Sequence, residues 1–373
     1  MILAHKIRLD PNNKQRTYFV KACGIARFSY NWALSEWKRL YESGKQVSEG
    51  LLRRQLNAVK RELFPWMLEV TKCASQLAIM DLGKAFNNFF AHRAEFPVFK
   101  KKGRHDSFGI SNDQFVVRGK TIRIPNLGYV RMTEKLRFDG KIMGAVVSRT
   151  ADKWFVSIQV ELPDPTPVHN SESQAVGIDV GVRDRATMSD GNKVPGAKPH
   201  KAVLSRIRRL NQSLSRKQGA RKGENKSQNY IKAQRRLSRL YARIANIRSN
   251  ETHQLTTMLT KKYGVIGIED INVSGMAKNH CLARAILDMS FFEFRRQLEY
   301  KAKITGSTVV VANRFFPSSK LCSICGEKND NLDLSVREWD CKVCNTHHDR
   351  DVNAAVNLRN YAVSYTVSAC GEF

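Results

Sequence analysis

Residues 316–358 read FPSSKLCSICGEKNDNLDLSVREWDCKVCNTHHDRDVNAAVNL. Four cysteines stand in two knuckles, Cys322 with Cys325 and Cys341 with Cys344, with fifteen residues between the knuckles. Each C-x-x-C turn can place two thiolates on one tetrahedral cation, and the gap suits a small β-ribbon closing the site. One Zn²⁺ is therefore expected, and it is structural, because all four of its positions are filled by the chain. A redox pair or unrelated cysteines would be the alternative; two knuckles at this spacing, with no secretory signal ahead of them, argue against it. Just beyond, Asp351 stands where a short helix should begin. On its own it reads as a cap or first-turn acid, which the positive end of a helix favours. A ribbon folded against an acid-tipped helix suggests an insertion into a larger catalytic domain, and directs attention upstream to two further carboxylates.

The composition narrows the class. The chain has 373 residues, 42% of them hydrophobic and 26% charged, so it is globular, with room for two or three domains. Lys and Arg number 63 against 34 Asp and Glu, a net charge of +29. A protein this basic lives against a polyanion, although charge alone does not separate an enzyme from a binder. The opening residues lack a signal-peptide pattern and no apolar run approaches a membrane span, so a cytoplasmic protein is expected. Cys23, Cys73, Cys281 and Cys370 are scattered, as free thiols in a reducing compartment would be.

Along the first half, residues 2–9 alternate as a strand, and Asp10-Pro11 is expected to cap and open a helix. Helices follow over 14–41, anchored by Phe19, Cys23, Phe28, Trp32 and Trp37, over 49–63, and over 73–94, where Leu77, Met80, Phe86, Phe89 and Phe90 can share a face. After the basic loop containing Lys100, Lys101 and Lys102, short strands are expected at 114–117, 120–124, 129–132, 145–150 and 154–162, a small β-domain that the first strand can join. Pro163 to Ser173 reads as a linker at the main domain boundary.

In the second half, residues 175–182 form an apolar strand carrying Asp179, an acid that is costly there unless it binds something. Gly177 and Gly181 leave room for a phosphate backbone to approach. Residues 198–248 hold sixteen Lys and Arg against one acid, Glu224. Leu204, Ile207, Leu210 and Leu214 mark one helix and Leu237, Leu240, Ile244 and Ile247 another, joined near Gly219–Gly223, giving a hairpin with a basic outside. Its Arg206, Arg208, Arg209, Arg216, Lys217, Arg235, Arg236 and Arg239, with Lys100–Lys102, are the candidate phosphate contacts. A second apolar strand, 264–270, ends in Glu269 and Asp270, and a helix at 291–302 and a strand at 307–312 lead into the ribbon. Acids on three separate elements can meet at one sheet edge. Clustered carboxylates repel unless cations bind, and two Mg²⁺ held this way can hydrolyse a phosphodiester.

Four segments, GIDVGV at 177–182, GIEDINVSGM at 267–276, FPSSKLCSICG at 316–326 and DRDVNAAVNL at 349–358, resemble the motifs of the transposon-encoded TnpB nucleases, relatives of type V CRISPR effectors. The likeness extends to AFNNFFAHRAEFPVFKKKGRHDSF and to the N-terminal strand and helix. The resemblance implies an α/β fold: an RNase H-like RuvC domain with an inserted zinc ribbon, an N-terminal helical recognition lobe and a small β-barrel-like wedge. It places the first wedge strand at 1–12, the helical lobe at 13–95, the wedge and linker at 96–170 and the RuvC domain at 171–321, with the basic hairpin at 198–262. The ribbon falls at 322–344 and the last RuvC helix and tail at 345–373. It selects Asp179, Glu269 and Asp351 as the catalytic, Mg²⁺-holding triad, over Asp270 and Asp349. By the same resemblance the protein binds a guide RNA from the transposon end and cleaves matching double-stranded DNA beside a short motif, as a monomer within a ribonucleoprotein. The resemblance also implies a prokaryotic protein acting at the nucleoid. An RNA-guided repressor or transposition accessory that does not cut is the alternative reading, and an autonomous transposase a third.

Overall fold

The computed structural model describes residues 1–165, 174–217, 226–280, 283–333 and 335–370. Most of the expected linker (166–173), the turn at Gly219–Gly223, Cys281 and the side chain of Cys370 lie outside the described residues. The chain divides into two compact units, Met1–Pro163 and Asp164–Phe373.

In the first unit, strand β1 (Ile2–Asp10) leads into the 30-residue helix α1 (Asn13–Glu42). The cap is Asn12 rather than Asp10. Its side chain accepts the Gln15 amide at 2.9 Å, and the Gln15 side chain accepts the Asn12 amide at 3.0 Å, so two orphan donors are satisfied reciprocally. Helices α2 (Glu49–Leu63) and α3 (Cys73–Phe90) pack against α1 around Phe19, Leu34, Leu52, Ile79 and Phe86. The expected face of α3 is shifted. Its buried stripe runs through Ala74, Ala78, Ile79, Leu82 and Phe86, which leaves Phe90 exposed.

Strands β2 (Ser107–Ser111), β3 (Val116–Arg118), β4 (Thr121–Ile124), β5 (Gly128–Met132), β6 (Lys141–Thr150) and β7 (Lys153–Glu161) join β1 in a seven-stranded sheet ordered β2-β6-β7-β1-β5-β4-β3. β1 pairs with β7 from Ile2 opposite Glu161 to Leu9 opposite Trp154. β2 has no counterpart in the sequence reading; Gly109 interrupts the alternation of Phe108 and Ile110 on which a strand assignment depends.

The second unit is built on a five-stranded sheet ordered β10-β9-β8-β11-β12, from β8 (Ala175–Asp179), β9 (Asp184–Met188), β10 (Lys193–Pro195), β11 (Val265–Glu269) and β12 (Thr308–Ala312). β8, β11 and β12 are parallel, while β9 and β10 are antiparallel. Between β10 and β11 lie α4 (Pro199–Ala202), α5 (Leu204–Lys217) and α6 (Gln228–Lys262). Ile207, Leu240 and Ile244 form the seam of α5 and α6, with Leu210 and Leu237 beside them. Helices α7 (Val273–Ala277), α8 (Ala283–Met289) and α9 (Phe291–Thr305) separate β11 from β12. The ribbon strands β13 (Glu338–Asp340) and β14 (His347–Asp349) precede α10 (Arg350–Cys370), which is a full 21 residues long rather than short.

α10 lies on the sheet at backbone distance. A Cβ at Gly177 would run into the carbonyl of Ala355 and the amide of Arg359, and one at Gly267 would run into the carbonyl of Leu358. Gly177 therefore makes room for the protein's own helix and not for a phosphate, while a Cβ at Gly181 would sit 3.0 Å from the Asp184 carbonyl across a turn. Gly177→Ala and Gly267→Ala should each destabilise this unit by about 1–3 kcal/mol through overpacking. Gly24→Ala, in α1 with nothing within 4 Å of the new methyl, should stabilise by about 0.5–1 kcal/mol. Urea melts of the three variants check this, and small, like-signed shifts in all three would refute the packing argument.

Candidate active site and metal centre

β8 and β11 run parallel in register, Ile178 beside Ile268, so Asp179 and Glu269 end adjacent strands side by side. Asp351 enters in the first turn of α10, four residues before Ala355 and so about 6 Å along the axis from the contact with Gly177. The three acids feel one another. Burial first, then the charges of Glu269 and Asp351, push the Asp179 carboxyl well above its usual range, against the opposing pull of Arg350 and Arg337. Burial raises the Glu269 carboxyl to about 7.

Each acidic pair in the sequence divides its labour. Asp270 is held by two guanidiniums, Arg295 Nη1 at 2.8 Å and Arg314 Nη2 at 2.6 Å, which leaves Glu269 for the site. Asp349 is the true cap of α10: its Oδ1 accepts the amides of Asp351 at 3.1 Å and Val352 at 3.0 Å, and its Oδ2 accepts Lys193 Nζ at 2.6 Å. Against the effect of its burial, these partners hold the Asp349 carboxyl below the usual range. The cap reading of Asp351 thus passes to Asp349, and the Asp351 carboxylate, facing Arg337 Nη1 at 3.4 Å, is left for the site. Arg337 reaches in from the ribbon, and no local sequence pattern marks it.

The chemistry of the donor set fits a hard divalent cation. Asp179 and Glu269 have raised proton affinity with the Asp351 carboxylate beside them, and Mg²⁺ prefers carboxylate oxygen. The four cysteines fit zinc. Their sulfur atoms all lie within 4.8 Å of one another. Cys322 to Cys344 and Cys325 to Cys341 are both 3.6 Å apart, close to the edge of about 3.8 Å expected for a tetrahedron with 2.3 Å Zn–S bonds. Among the described residues this is the one such group closed to that distance. The three acids are electrostatically coupled without being drawn together as tightly.

The motif before and within α10 ties the ribbon to the helix. Asn353 Nδ2 donates to the Leu321 carbonyl at 2.7 Å, and its Oδ1 accepts the Ser323 amide at 2.9 Å. Asn357, one turn on, donates to the carbonyls of Ser318 and Leu321, both at 2.8 Å. Arg350 binds the carbonyls of Asp333 at 2.9 Å and Val336 at 3.3 Å. His348 is buried against Trp339, with Nε2 3.1 Å from Cys322 Sγ. Asn353 and Asn357 carry an i, i+4 signal that could have been read from the sequence; His348 carries none.

Of the candidate phosphate contacts, Arg206, Arg208, Arg209, Arg216 and Lys217 on α5 and Arg235, Arg236 and Arg239 on α6 are all exposed. Lys101 and Lys102 are exposed in the first unit, where the Lys100 ammonium sits 3.9 Å over the Tyr30 ring and its backbone is bound by Asn31. Among the described residues no helix is long and apolar enough to cross a membrane.

A sheet of this order, crossed by a final helix that also anchors a cysteine ribbon, is an RNase H-like domain with a zinc-ribbon insertion. Comparison with known proteins agrees. Residues 157–280 match a family described as "Probable transposase" (OrfB_IS605) and residues 291–358 match the "Cas12f1-like, TNB domain". Residues 1–46 match a "Helix-turn-helix domain", although here they form β1 and the single long helix α1. The chain is 34% identical to the Escherichia coli (strain K12) protein named "Putative RNA-guided DNA endonuclease InsQ", covering 99% of this chain and 94% of that one. It is 35% identical to a Streptomyces pristinaespiralis "Putative RNA-guided DNA endonuclease", over 99% and 91%. The chain belongs to the TnpB family. Its fold is similar to that in a cryo-EM structure of a Cas12f1–sgRNA–target DNA complex, with a TM-score of 0.57 at 15% identity, covering 93% of this chain and 83% of that one.

Two expectations follow. Because Glu269 is raised to about 7 from 4.5 and Asp179 is raised too, the folded chain binds more protons than the unfolded chain across that window, so metal-free stability falls as pH rises through it. Mg²⁺ should restore it, giving a larger rise in Tm at pH about 8 than at about 5.5; equal shifts would count against these acids as its ligands. His348→Ala should weaken Zn²⁺ binding about 10- to 100-fold in a chelator competition, whereas unchanged affinity would reduce His348 to packing against Trp339.

Proposed function

We propose that this protein is an RNA-guided DNA endonuclease that cleaves double-stranded DNA matched to a guide RNA from its transposon's end, beside a short adjacent motif. The observation that carries the reading is the meeting of Asp179, Glu269 and Asp351 from three elements, with their neighbouring acids already committed elsewhere. When bound, two Mg²⁺ supply the charge that stabilises the attacking and leaving oxygens of the phosphodiester. The chain's own part is to hold the three carboxylates, to yield the protons retained on Asp179 and Glu269 as the cation arrives, and to keep Arg337 beside Asp351 as a cation near the reacting phosphate. Recognition of sequence is delegated to base pairing, and the exposed arginines of α5 and α6, with Lys101 and Lys102, grip backbone.

The divisions laid out above, from a helical recognition lobe through a β wedge to a ribbon-bearing RuvC domain, serve this reading, with the protein acting as a monomer in a ribonucleoprotein in a prokaryotic cytoplasm. A guided repressor is the second reading. The three acids favour cutting, since a binder has no use for carboxylates that repel phosphate.

The test is co-expression with the native transposon-end RNA, followed by challenge with plasmids that carry a matched target and a randomised flank. Flank-dependent linearisation in Mg²⁺ and none in EDTA is expected. Asp179→Ala should slow cutting by about 10³-fold or more while guide binding is kept; binding without cutting by the parent protein would favour the repressor.

A further inference from the structure

Beside the acids lies a recess that their chemistry does not use. It has a volume of about 150 Å³ and is lined by apolar side chains, among them Val180, Ile268, Phe291 and Phe292, together with Glu269 itself and Arg295. Glu269, one of the three acids, is part of its wall, so the recess adjoins the triad. At that size it is far below the roughly 300 Å³ at which drug-sized ligand sites begin, and suits one planar ring. Its floor is firm: Phe291 is buried with Ile286 and Met289, and Val180, Ile271 and Val273 pack against them.

The rim is exposed and aromatic. Phe292, the second residue of α9, is 71% exposed although the first, Phe291, is buried, and Phe315, outside the lining of the recess, is 88% exposed. Each is close in sequence to a fixed guanidinium. Arg295 is one turn beyond Phe292, Arg314 immediately precedes Phe315, and Asp270 bridges the two arginines at 2.8 and 2.6 Å. Arg295 is further tied to Glu299 at 2.8 Å. These arginines are therefore held in place and largely neutralised, so the rim offers flat, ordered faces more than net charge. Aromatic rings interleaved with arginines are the means by which proteins hold single-stranded nucleic acid without reading its sequence, because every base has a face to stack.

We propose that this recess and its rim form a base-stacking subsite for the DNA strand being cut: a base flanking the scissile phosphate leaves its stack and seats on Phe292 over the apolar recess, and Phe315 takes a neighbouring base. The mostly apolar walls and the Glu269 carboxylate disfavour a phosphate in the recess, and the cation that lines it, Arg295, is already paired with Asp270 and Glu299; this directs the backbone to the acids and the base away from them. The subsite accepts any base, as a guided enzyme needs, and requires the strand to be unpaired there. The inference rests on the endonuclease reading for its substrate.

The test separates the two. The Asp179→Ala protein, assembled with its guide RNA, is titrated with single-stranded DNA carrying 2-aminopurine at successive positions. Stacking quenches the probe, and quenching confined to one or two positions is expected. Phe292→Ala should remove it and Phe292→Trp restore it. In the otherwise unaltered enzyme, Phe292→Ala should lower kcat/KM for target cleavage roughly 5- to 100-fold, the range for loss of one stacked base, with guide affinity unchanged. Phe315→Ala should act in the same direction. Quenching at no position, or full quenching and full cleavage in Phe292→Ala, would overturn the subsite. Absence of cutting by the parent protein would instead defeat the endonuclease reading, while the quenching still reports on the recess.

Discussion

The contact of the α10 backbone with Gly177 and Gly267 is the constraint on which the catalytic half depends. A helix laid on two strands with no side chain between them has its height and rotation fixed by backbone atoms, which do not repack. Asp351 is thereby fixed against Asp179, one turn from Ala355. The opposite consequence is equally direct. Asn353 and Asn357, on that same helix, bind the carbonyls and amide that frame the first cysteine knuckle. One rigid element thus carries a site acid on its first turn and the ribbon on its first two. A zinc on the four cysteines would be structural in the sense that it would shape the body from which Arg337 reaches Asp351.

A second consequence is electrostatic. In a protein with a net charge of +29, Asp179, Glu269 and Asp351 still act on one another strongly enough, with burial, to raise the Asp179 carboxyl well above its usual range. Arg350 and Arg337 offset this only in part, and Arg295 and Arg314 are spent on Asp270. The site is left under-neutralised, a local violation of the rule that buried charges are paired, and such violations concentrate where a fold works rather than where it merely stands. A divalent cation removes the conflict; an additional arginine would remove it too, and would leave nothing for a metal to do.

Much of this was legible in the sequence, and the failures have physical causes. The apolar parallel strands, the amphipathic pair α5 and α6, and the two knuckles announce themselves through periodicity and spacing. Spacing does not say which of two adjacent acids faces a site. Glu269 and Asp270 differ only in tertiary partners that lie 25 and 44 residues away, and that choice was made by family resemblance. A glycine in a strand signals close approach by some backbone without saying whose, so Gly177 was read as a phosphate neighbour and not as the bed of α10. The cap of α1 was misplaced because Asp10 and Asn12 both suit a helix start; Gln15, three residues after Asn12, was the deciding clue. Arg337 is an exposed arginine in a polar loop, and nothing local marks it.

The basic hairpin carries its own argument about partners. On α6, Lys232, Arg235, Arg236, Arg239 and Arg243 place like charges three or four residues apart in five pairings, a repulsion of about 0.2–0.5 kcal/mol for each. Among the described residues the seam beneath them buries Ile207, Leu240 and Ile244, with Val203, Leu210 and Leu237 partly buried beside them. A helix pair with so thin a core gains nothing in isolation from an almost acid-free outer face, because each acid added there would stabilise it. What such a face does gain is counterion release when phosphates replace the small ions around it. The arrangement makes sense as the fold of a protein whose working state includes nucleic acid, so the stability of this hairpin belongs to the complex more than to the chain.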